Sequence, residues 1–425
     1  MIYLDKNSVI DDFFAHLGLN LEPDIEVAVK NFITGLIVNE RGSINDIAMN
    51  TVGNLSERQL NRALHKVKAQ SDLILDQTVL KLQETPKLAI KPSGVISLDE
   101  HIVPKSGQKI EGVDYFYSPT DKKTRLGLSM ISTHYYGGDI EYPLGRAIYR
   151  RERELAKRGK SAEYKSKNQI ARELIQYYAT FGFPCKMWTM DSYFMTKENV
   201  KELKAHGMSY VARVKRNWGC TYVHKHWTIS SLYASIPDAE YEVVQVRNPK
   251  TKAPRYFKVA VRDVFIKKIG NNRLVFQKEL KLTSSGTFEE KYPGEWRCIV
   301  TDRHDMTTRA IIETYLKRWA IETGYRDENQ QLKLHSCMWR DIEGQYCYIT
   351  FVFMAYMLLC WASYVGYLDL YAPKLKTLGD KRAAFKRLND ELFGEWISQL
   401  KKDCPTCRLS QLIYQLIYGV NNHHG

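Results

Sequence analysis

The alternation of apolar and polar positions divides the chain into a helical start, an α/β middle, a β-rich segment and a helical end. Between Asp24 and Ile37, apolar residues recur at the spacing of a helix that buries one face. From Gly94 onward, short apolar or alternating runs predict strands with amphipathic helices between them. These changes place the region boundaries at 1–90, 91–215, 216–301, 302–370 and 371–425.

Residues 43–68 predict two short helices joined by a glycine turn. Ser43 can cap the first helix, and Ser56, with a glutamine three residues later, forms a capping box that opens the second. The second helix carries Arg58 and Arg62 opposite its apolar face. This pattern is typical of a helix-turn-helix that binds DNA, and an ordinary helical hairpin with a solvated face fits it equally well.

Two apolar runs that predict strands each end at an aspartate: residues 95–98 precede Asp99, and residues 186–190 precede Asp191. The predicted order of three strands, a helix, a strand, a helix and a strand indicates an RNase H-like α/β core. Parallel strands with helical crossovers bring their carboxyl ends to one edge, so the two aspartates are expected to meet there. The alternative is that each aspartate is an ordinary residue of a turn after a strand.

Residues 216–301 have a different pattern, with alternating runs separated by Asn-Pro, Gly-Asn-Asn and Ser-Ser-Gly turns. The predicted strands are Glu240–Val246, Arg255–Val264, Leu274–Glu279 and Trp296–Thr301. We therefore expect a β-rich insertion that interrupts the core before helix returns near Met306.

A single helix is predicted over Ala310–Leu334. On it, Tyr315, Arg318 and Glu322 would fall within about 60° of one another. Glu322 would lie at the rim of an apolar stripe that includes Trp319, whereas a solvated glutamate normally lies opposite such a stripe. The rim is where a carboxylate can meet aspartates at the edge of a sheet.

The charge of the chain favours a polyanionic partner. Lysine and arginine outnumber the acids 62 to 48, for a net charge of +14. Residues 150–167 and 374–387 are the most basic stretches and are candidates for contact with the DNA backbone. A generic basic surface of solvated helices is the alternative.

The uncharged stretch 346–368 is long enough to span a bilayer, but its tyrosines and its isolation favour a buried helix of a soluble core. Acidic residues stand where a signal peptide would need an apolar run, so we expect a cytoplasmic protein. The spacing of Cys404 and Cys407 suggests zinc only if His423 and His424 complete the site, and a solvent-facing turn fits better.

Three segments carry a resemblance to a known family: SLDEHIVPKSG around Asp99, TMDSYFMTKENVKEL around Asp191, and AIIETYLKRWAIETGYRDENQQLKL. The chain resembles the DDE transposases of bacterial and archaeal insertion sequences. Within them it is most similar to the group with a β-strand insertion and a Tyr-x2-Arg-x3-Glu-x6-Lys signature. Tyr315, Arg318 and Glu322 match that signature.

The resemblance covers roughly residues 40–365 and implies a DNA transposase. Such an enzyme cleaves the ends of an insertion sequence and joins them to target DNA, acting as a homodimer in the nucleoid. Asp99, Asp191 and Glu322 would be the catalytic residues and would hold two Mg²⁺ or Mn²⁺ ions. Two hard cations about 4 Å apart can activate the attacking oxygen and stabilise the leaving one, and both prefer carboxylate ligands.

One position departs from the family signature: Asn329 stands where the lysine is expected. The family's arginine and lysine hold phosphates near the transposon end, and an asparagine keeps a hydrogen-bond donor without the charge. Arg326 or Lys333 could compensate for that loss. A catalytically inactive or domesticated DNA-binding protein, and a metal-dependent nuclease without transposition, are therefore the alternatives.

The resemblance also singles out Trp296. In relatives that form a DNA hairpin, a tryptophan on the last strand of the insertion stacks on a flipped base, which is a sound use of an aromatic platform. A core tryptophan of the β-rich segment is the other interpretation of Trp296.

Overall fold

Residues 3–4, 7–52, 55–118 and 122–403 are described by a computed structural model of the chain. The fold is mixed α/β, with a large mixed sheet and many helices. The proposed cysteine and histidine zinc ligands lie outside the described residues, as does the turn predicted at Gly53.

The N-terminal residues form helices and one short pair of parallel strands. The helices are α1 (Ser8–Leu17), α2 (Pro23–Val38), α3 (Ile44–Asn50), α4 (Glu57–Lys66) and α5 (Ser71–Leu82). The strands are β1 (Tyr3–Leu4) and β2 (Thr51–Val52). Helix α2 confirms the helix predicted over residues 24–37.

Both predicted caps of the 43–68 segment are confirmed. The Ser43 hydroxyl accepts a hydrogen bond from the backbone N–H of Asp46 at 3.1 Å. Ser56 accepts from the backbone of Gln59 at 3.3 Å, and the Gln59 side chain accepts from the Ser56 backbone at 2.9 Å. These bonds satisfy helix donors that have no partner within the helix itself.

The middle of the chain holds the strands that carry the aspartates. The strands are β3 (Val95–Pro104), β4 (Asp114–Ser118), β5 (Lys123–Tyr136), β6 (Glu141–Tyr149), β7 (Met187–Met190) and β8 (Ser209–Arg213). The helices are α6 (Glu152–Lys157), α7 (Lys167–Thr180) and α8 (Lys197–Ala205). Strand β7 pairs in parallel with both β3 and β8, as the crossover through α8 predicts.

Two expectations about these strands were wrong. Strand β3 does not end at Asp99 but continues to Pro104, and β6 was not predicted at all. Most of β6 is buried, including residues on both faces, so it lacks the apolar and polar alternation that reveals a half-exposed strand.

The segment 216–301 is rich in strands, and they extend the sheet that contains β7 and β8. They are β9 (Gly219–Tyr222), β10 (Lys225–Thr228), β11 (Glu242–Arg247), β12 (Pro254–Ile266), β13 (Gly270–Leu282), β14 (Phe288–Glu290) and β15 (Arg297–Thr301), with helix α9 (Ile229–Ala234). The sheet order is β10-β9-β12-β13-β15-β8-β7-β3-β5, and β15 runs antiparallel to β8. Strands β9, β10 and β14 were not predicted.

The C-terminal helices are α10 (Thr308–Leu316), α11 (Trp319–Gln330), α12 (Ile342–Val365) and α13 (Leu378–Asp403). The single helix predicted over 310–334 is therefore wrong, because it is interrupted at Lys317 and Arg318. There the backbone N–H of Arg318 bonds to the carbonyl of Tyr315 at 3.1 Å, three residues back, which tightens the turn. Trp319 is 59% exposed and does not belong to the predicted apolar stripe.

The chain forms two compact units. The helical unit comprises Met1–Ala89, Ile102–Ser129 and Gly324–Gly425, and the sheet unit comprises Ile90–His101 and Met130–Thr323. In the helical unit α12 packs against α2, α5 and α13. Of the described helices only α12 is long and apolar enough to cross a bilayer, and 83% of its apolar window is buried, as expected of a core helix.

In the sheet unit, α10 is anchored to one face of the sheet. Its residues Ile311, Ile312 and Tyr315 share a buried cluster with strand residues that include Val211 and Ile299. Full burial of an aliphatic side chain contributes about 1.5–3 kcal/mol, so this contact holds the end of α10 firmly against the sheet. The interruption that contains Arg318 follows directly.

Candidate active site

The register of two parallel strands brings Asp99 and Asp191 together. The pairing of β3 with β7 ends at Leu98 opposite Met190, and the two aspartates are the next residues of their strands. These positions on adjacent strands put the two carboxyl groups close enough for the negative charge of Asp191 to raise the pKa of Asp99. Asp99 and Asp191 thus follow the last paired residues of two parallel strands, although β3 itself continues past Asp99.

Asp191 is held by the turn that follows β7. Its Oδ1 accepts hydrogen bonds from the backbone N–H groups of Tyr193 at 2.9 Å and Phe194 at 3.2 Å. Aspartate commonly bonds to the backbone in this way at the start of a turn. These bonds engage Oδ1 and fix the orientation of the carboxylate at the strand end.

Arg318 joins Asp99 to Glu322. One guanidinium nitrogen lies 2.6 Å from Oδ2 of Asp99, and the other donates to Oε1 of Glu322. The guanidinium also lies 5.7 Å from the ring centre of Tyr315. The helix interruption therefore places Arg318 between two of the three predicted catalytic acids; we call Asp99, Asp191, Glu322 and Arg318 the carboxylate cluster.

Burial and crowding of like charges dominate the electrostatics of the carboxylate cluster. Burial raises the pKa of Asp99 to about 7, and the neighbouring Asp191 and Glu322 add to the rise. Arg318 and the backbone N–H of Glu100 oppose it. Burial lowers the pKa of Arg318, but Tyr315 and the carboxylates of Asp99 and Glu322 outweigh burial and raise that pKa overall.

The carboxylate cluster is accessible from solvent. The side chain of Asp99 is 17% exposed and that of Glu322 is 32% exposed. A buried acid with no opening could not reach a substrate, so this partial exposure leaves a catalytic role open to both residues.

The donor set fits a hard divalent cation, although the side chains are not arranged around one. Three carboxylates supply the oxygen ligands that Mg²⁺ prefers, and a cation would relieve the repulsion that raises the pKa of Asp99. Within the described residues, however, no three His, Cys, Asp or Glu side chains form a group ready to hold a metal ion. Arg318 engages Asp99 and Glu322, so a cation held by all three acids would have to share or replace its contacts.

Two other acids near the carboxylate cluster have partners elsewhere. Glu100 forms an ion pair with Lys167 at 2.5 Å. Glu313 accepts hydrogen bonds from the backbone N–H of Arg247 and from the side chain of Arg309. Neither acid takes the place of Asp99, Asp191 or Glu322.

The remaining predicted DNA contacts are spread over the two units. Trp296 is 7% exposed, stacks on Tyr233 with ring centres 4.0 Å apart, and has the guanidinium of Arg216 at 4.2 Å from its ring centre. Both ring faces are thus covered, so a base could stack on Trp296 only after Tyr233 or Arg216 moves. Arg58 and Arg62 are exposed on α4.

Three further predicted residues lie in the helical unit. The Asn329 side chain donates to the carbonyl of Tyr325 at 2.8 Å, and Arg326 is exposed. Lys333 is buried, and its ammonium donates to the carbonyl of Leu36 at 2.5 Å. Burial lowers the pKa of Lys333 to about 7, so this lysine would have to leave its position to bind a phosphate as a cation.

The two basic stretches are largely engaged with acids or carbonyl groups. In 150–167, Arg150 and Arg158 both pair with Glu154. In 374–387, Arg382 and Lys386 both pair with Glu40. Sequence reasoning also missed the ion pairs of Arg318, although its spacing of four residues from Glu322 was a usable signal.

Comparison with known families finds two matching family models. A family model described as a transposase DDE domain matches residues 156–358, and one described as a DDE superfamily endonuclease matches residues 13–221. Each covers just under half of the chain; Asp191 lies in both matches, Asp99 in the second and Glu322 in the first. No curated protein matches the chain. Together the two matches support a DDE-superfamily transposase, and hence a nuclease or transposase enzyme that acts on DNA.

Proposed function

We propose that the protein is a DNA transposase that cleaves the ends of an insertion sequence and joins them to target DNA. Two contacts carry this proposal: Asp99 and Asp191 follow the last paired residues of two parallel strands, and Arg318 joins Asp99 to Glu322 from a late helix. The two family matches to DDE enzymes add independent support.

In this proposal Asp99, Asp191 and Glu322 are the catalytic residues and hold two divalent cations, Mg²⁺ or Mn²⁺. When bound, such cations supply Lewis-acid assistance to the attacking and leaving oxygens of a phosphodiester. Arg318 pairs with both Asp99 and Glu322 and offsets part of their negative charge. Tyr315 packs beside it and limits the directions in which the guanidinium can move.

We further propose that the core is RNase H-like and that residues 216–301 are the β-rich insertion of the Tyr-Arg-Glu-Lys group of bacterial and archaeal elements. The strands in this segment and the positions of Tyr315, Arg318 and Glu322 support this narrower assignment. Contacts of Arg58, Arg62, Arg326 and the other predicted DNA-binding residues with transposon ends, and a homodimer in the DNA complex, complete the proposal.

The test is metal-dependent joining of a labelled element end to a plasmid, with the end taken from the inverted repeats that flank the gene. Asp99→Asn, Asp191→Asn and Glu322→Gln should each lower cleavage and joining by at least ~1,000-fold, because each loss removes about 4 kcal/mol of transition-state stabilisation. DNA binding should persist in all three variants.

Glu100→Gln is the matched control, because Glu100 adjoins Asp99 but pairs with Lys167. It should retain cleavage and joining within a few-fold of the unmodified protein. Wild-type joining rates in any one of the three catalytic variants would remove that residue from the site.

A second candidate function is a DNA-binding protein without catalysis. Asn329 in the position of the signature lysine, and the engagement of two acids by Arg318, favour it. Tight binding of the element end with no cleavage in Mg²⁺ or Mn²⁺ would support this candidate. Cleavage without joining would instead indicate a nuclease that does not transpose.

A further inference from the structure

A basic groove lies in the sheet unit apart from the carboxylate cluster. It has a volume of about 490 Å³, and the side chains that matter here are Lys197, Lys215, Trp218, Lys267 and Lys268, with Glu198 as the one acid. We call it the lysine groove.

Three separate chain segments build the lysine groove. Lys197 begins α8, Lys215 follows the end of β8, and Lys267 and Lys268 form the turn between β12 and β13. The ammonium of Lys204, near the end of α8, donates to the carbonyl of Ile269 at 2.9 Å and ties α8 to that turn. The lysines are thus brought together by folding, which is why no charge run in the sequence revealed them.

The charges of the lysine groove are not balanced within the protein. Among the described residues, none of its four lysines forms an ion pair with a carboxylate. Lys268 instead lies over the ring of Trp218, with its ammonium 4.9 Å from the ring centre. Four like charges around one groove repel one another and create a positive potential that attracts an anion.

One residue of the lysine groove is close in sequence to a proposed catalytic aspartate. Lys197 is six residues after Asp191, so their Cα atoms are at most ~20 Å apart even for a fully extended connection. A DNA strand that crossed the groove would therefore pass within about six nucleotides of the carboxylates.

We propose that the lysine groove binds the phosphodiester backbone of DNA without reading its sequence, and that it holds the strand beside the carboxylate cluster. This inference rests on the proposed function, since it assumes that DNA is the substrate of that cluster. Lysine contacts to phosphates release counterions and give affinity that falls steeply with salt.

The test compares two triple variants that lose the same charge. Lys197, Lys215 and Lys267 are changed to glutamine in the groove variant; Lys186, Lys225 and Lys252 are changed in the control, because they are exposed in the sheet unit but do not line the groove. Fluorescence anisotropy measures binding to two labelled duplexes, one with the element end and one of unrelated sequence, at several salt concentrations in EDTA.

The groove variant should bind both duplexes at least ~10-fold more weakly than the control variant. The slope of log affinity against log salt should also fall by ~0.9 for each phosphate contact that is lost. A loss on both duplexes supports contact with the DNA backbone, whereas a loss confined to the element end would overturn the proposal that the groove does not read sequence. Equal losses in groove and control variants, or no loss in the groove variant, would overturn the proposal.

Circular dichroism and thermal melting of both variants show whether each is folded, and Lys215→Gln alone gives a milder version of the same test. Because EDTA prevents metal-dependent chemistry, the result does not depend on catalysis. If the catalytic variants kept their activity, the proposed active site would fail while the binding result for the groove still stood.

Discussion

The carboxylate cluster and the lysine groove lie in the same unit but differ in how far their charges are compensated by neighbouring residues. In the cluster, Arg318 contacts Asp99 and Glu322 directly, so part of the negative charge is compensated inside the protein. In the groove, lysines face a common space with a single acid, Glu198. The cluster should therefore contribute to stability without any ligand, whereas the groove should matter only when an anion is present.

The degree of burial explains why this difference has consequences. Removing one partner of a largely buried ion pair lowers the free energy of unfolding by more than the pair itself contributes to it. The reason is that the other charge is left desolvated and uncompensated. Exposed lysines are solvated, so replacing them changes folding free energy little. Substitutions in the carboxylate cluster should thus change stability, whereas substitutions in the lysine groove should change anion binding.

The largest expected effect comes from removing the cation of the carboxylate cluster. Arg318→Ala should lower the free energy of unfolding of the metal-free protein by ~3 kcal/mol, since Asp99 and Glu322 lose their counter-charge. Urea unfolding in EDTA measures this change. The triple variant of the lysine groove serves as the control and should change the free energy of unfolding by less than ~0.5 kcal/mol. Equal stability of Arg318→Ala and wild type would show that the cluster is not held by its arginine.

Glu328, a buried acid in the helical unit, extends the comparison to an acid that forms no ion pair with a cation among the described residues. Glu328 is 1% exposed, and its Oε2 has no hydrogen-bond partner among the described residues. Burial raises its pKa to about 8, with a smaller contribution from Asp327. The folded protein therefore holds a proton on Glu328 that the unfolded chain releases above its ordinary pKa.

It follows that wild-type stability should fall as pH rises between the unfolded and folded pKa values of Glu328. Relative to Glu328→Gln, which does not titrate, the loss should approach ~1.4 kcal/mol for each pH unit between about pH 6 and about pH 8. Urea unfolding of both proteins across this range measures it, and the difference removes the contribution of other groups that titrate there. Parallel pH profiles would contradict the raised pKa.

The smallest expected effect tests whether the carboxylate cluster can exchange its internal cation for an external one. Ca²⁺ at about ten times its dissociation constant should stabilise the wild type by ~1.4 kcal/mol. Asp191→Asn should lose most of this gain, because Asp191 is a proposed ligand and, among the described residues, Arg318 forms its ion pairs with Asp99 and Glu322 instead. Melting curves with Ca²⁺ and with EDTA give the result, and an equal gain in both proteins would place the cation elsewhere.

The two aspartates of the proposed active site could be predicted because local patterns mark them. Asp99 and Asp191 each follow a short apolar run, and parallel pairing then brings strand ends to a common edge whatever the sequence separation. The capping box at Ser56 was equally visible, because it depends on residues three positions apart. Strand β6 was missed because burial on both faces removes the alternation from which strands are recognised.

The helix over 310–334 shows where periodicity misleads. The apolar residues of this segment have helical spacing throughout. The backbone nevertheless forms a tighter turn at Lys317 and Arg318, and Trp319 is exposed. The packing of α10 on the sheet and the ion pairs of Arg318 both stabilise this turn. Neither contact can be recognised from the spacing of apolar residues.

The amino-acid sequence alone determined the mixed α/β class, the helix caps, the acids of the proposed active site and the excess of positive charge, since each depends on neighbouring residues. The tertiary structure decided which charges are compensated. Arg318 lies 219 residues from Asp99, and Lys215 lies 52 residues from Lys267. Electrostatic interactions depend on distance in space and on burial, so only the folded chain separates a partly compensated cluster from a groove that is open to an anion.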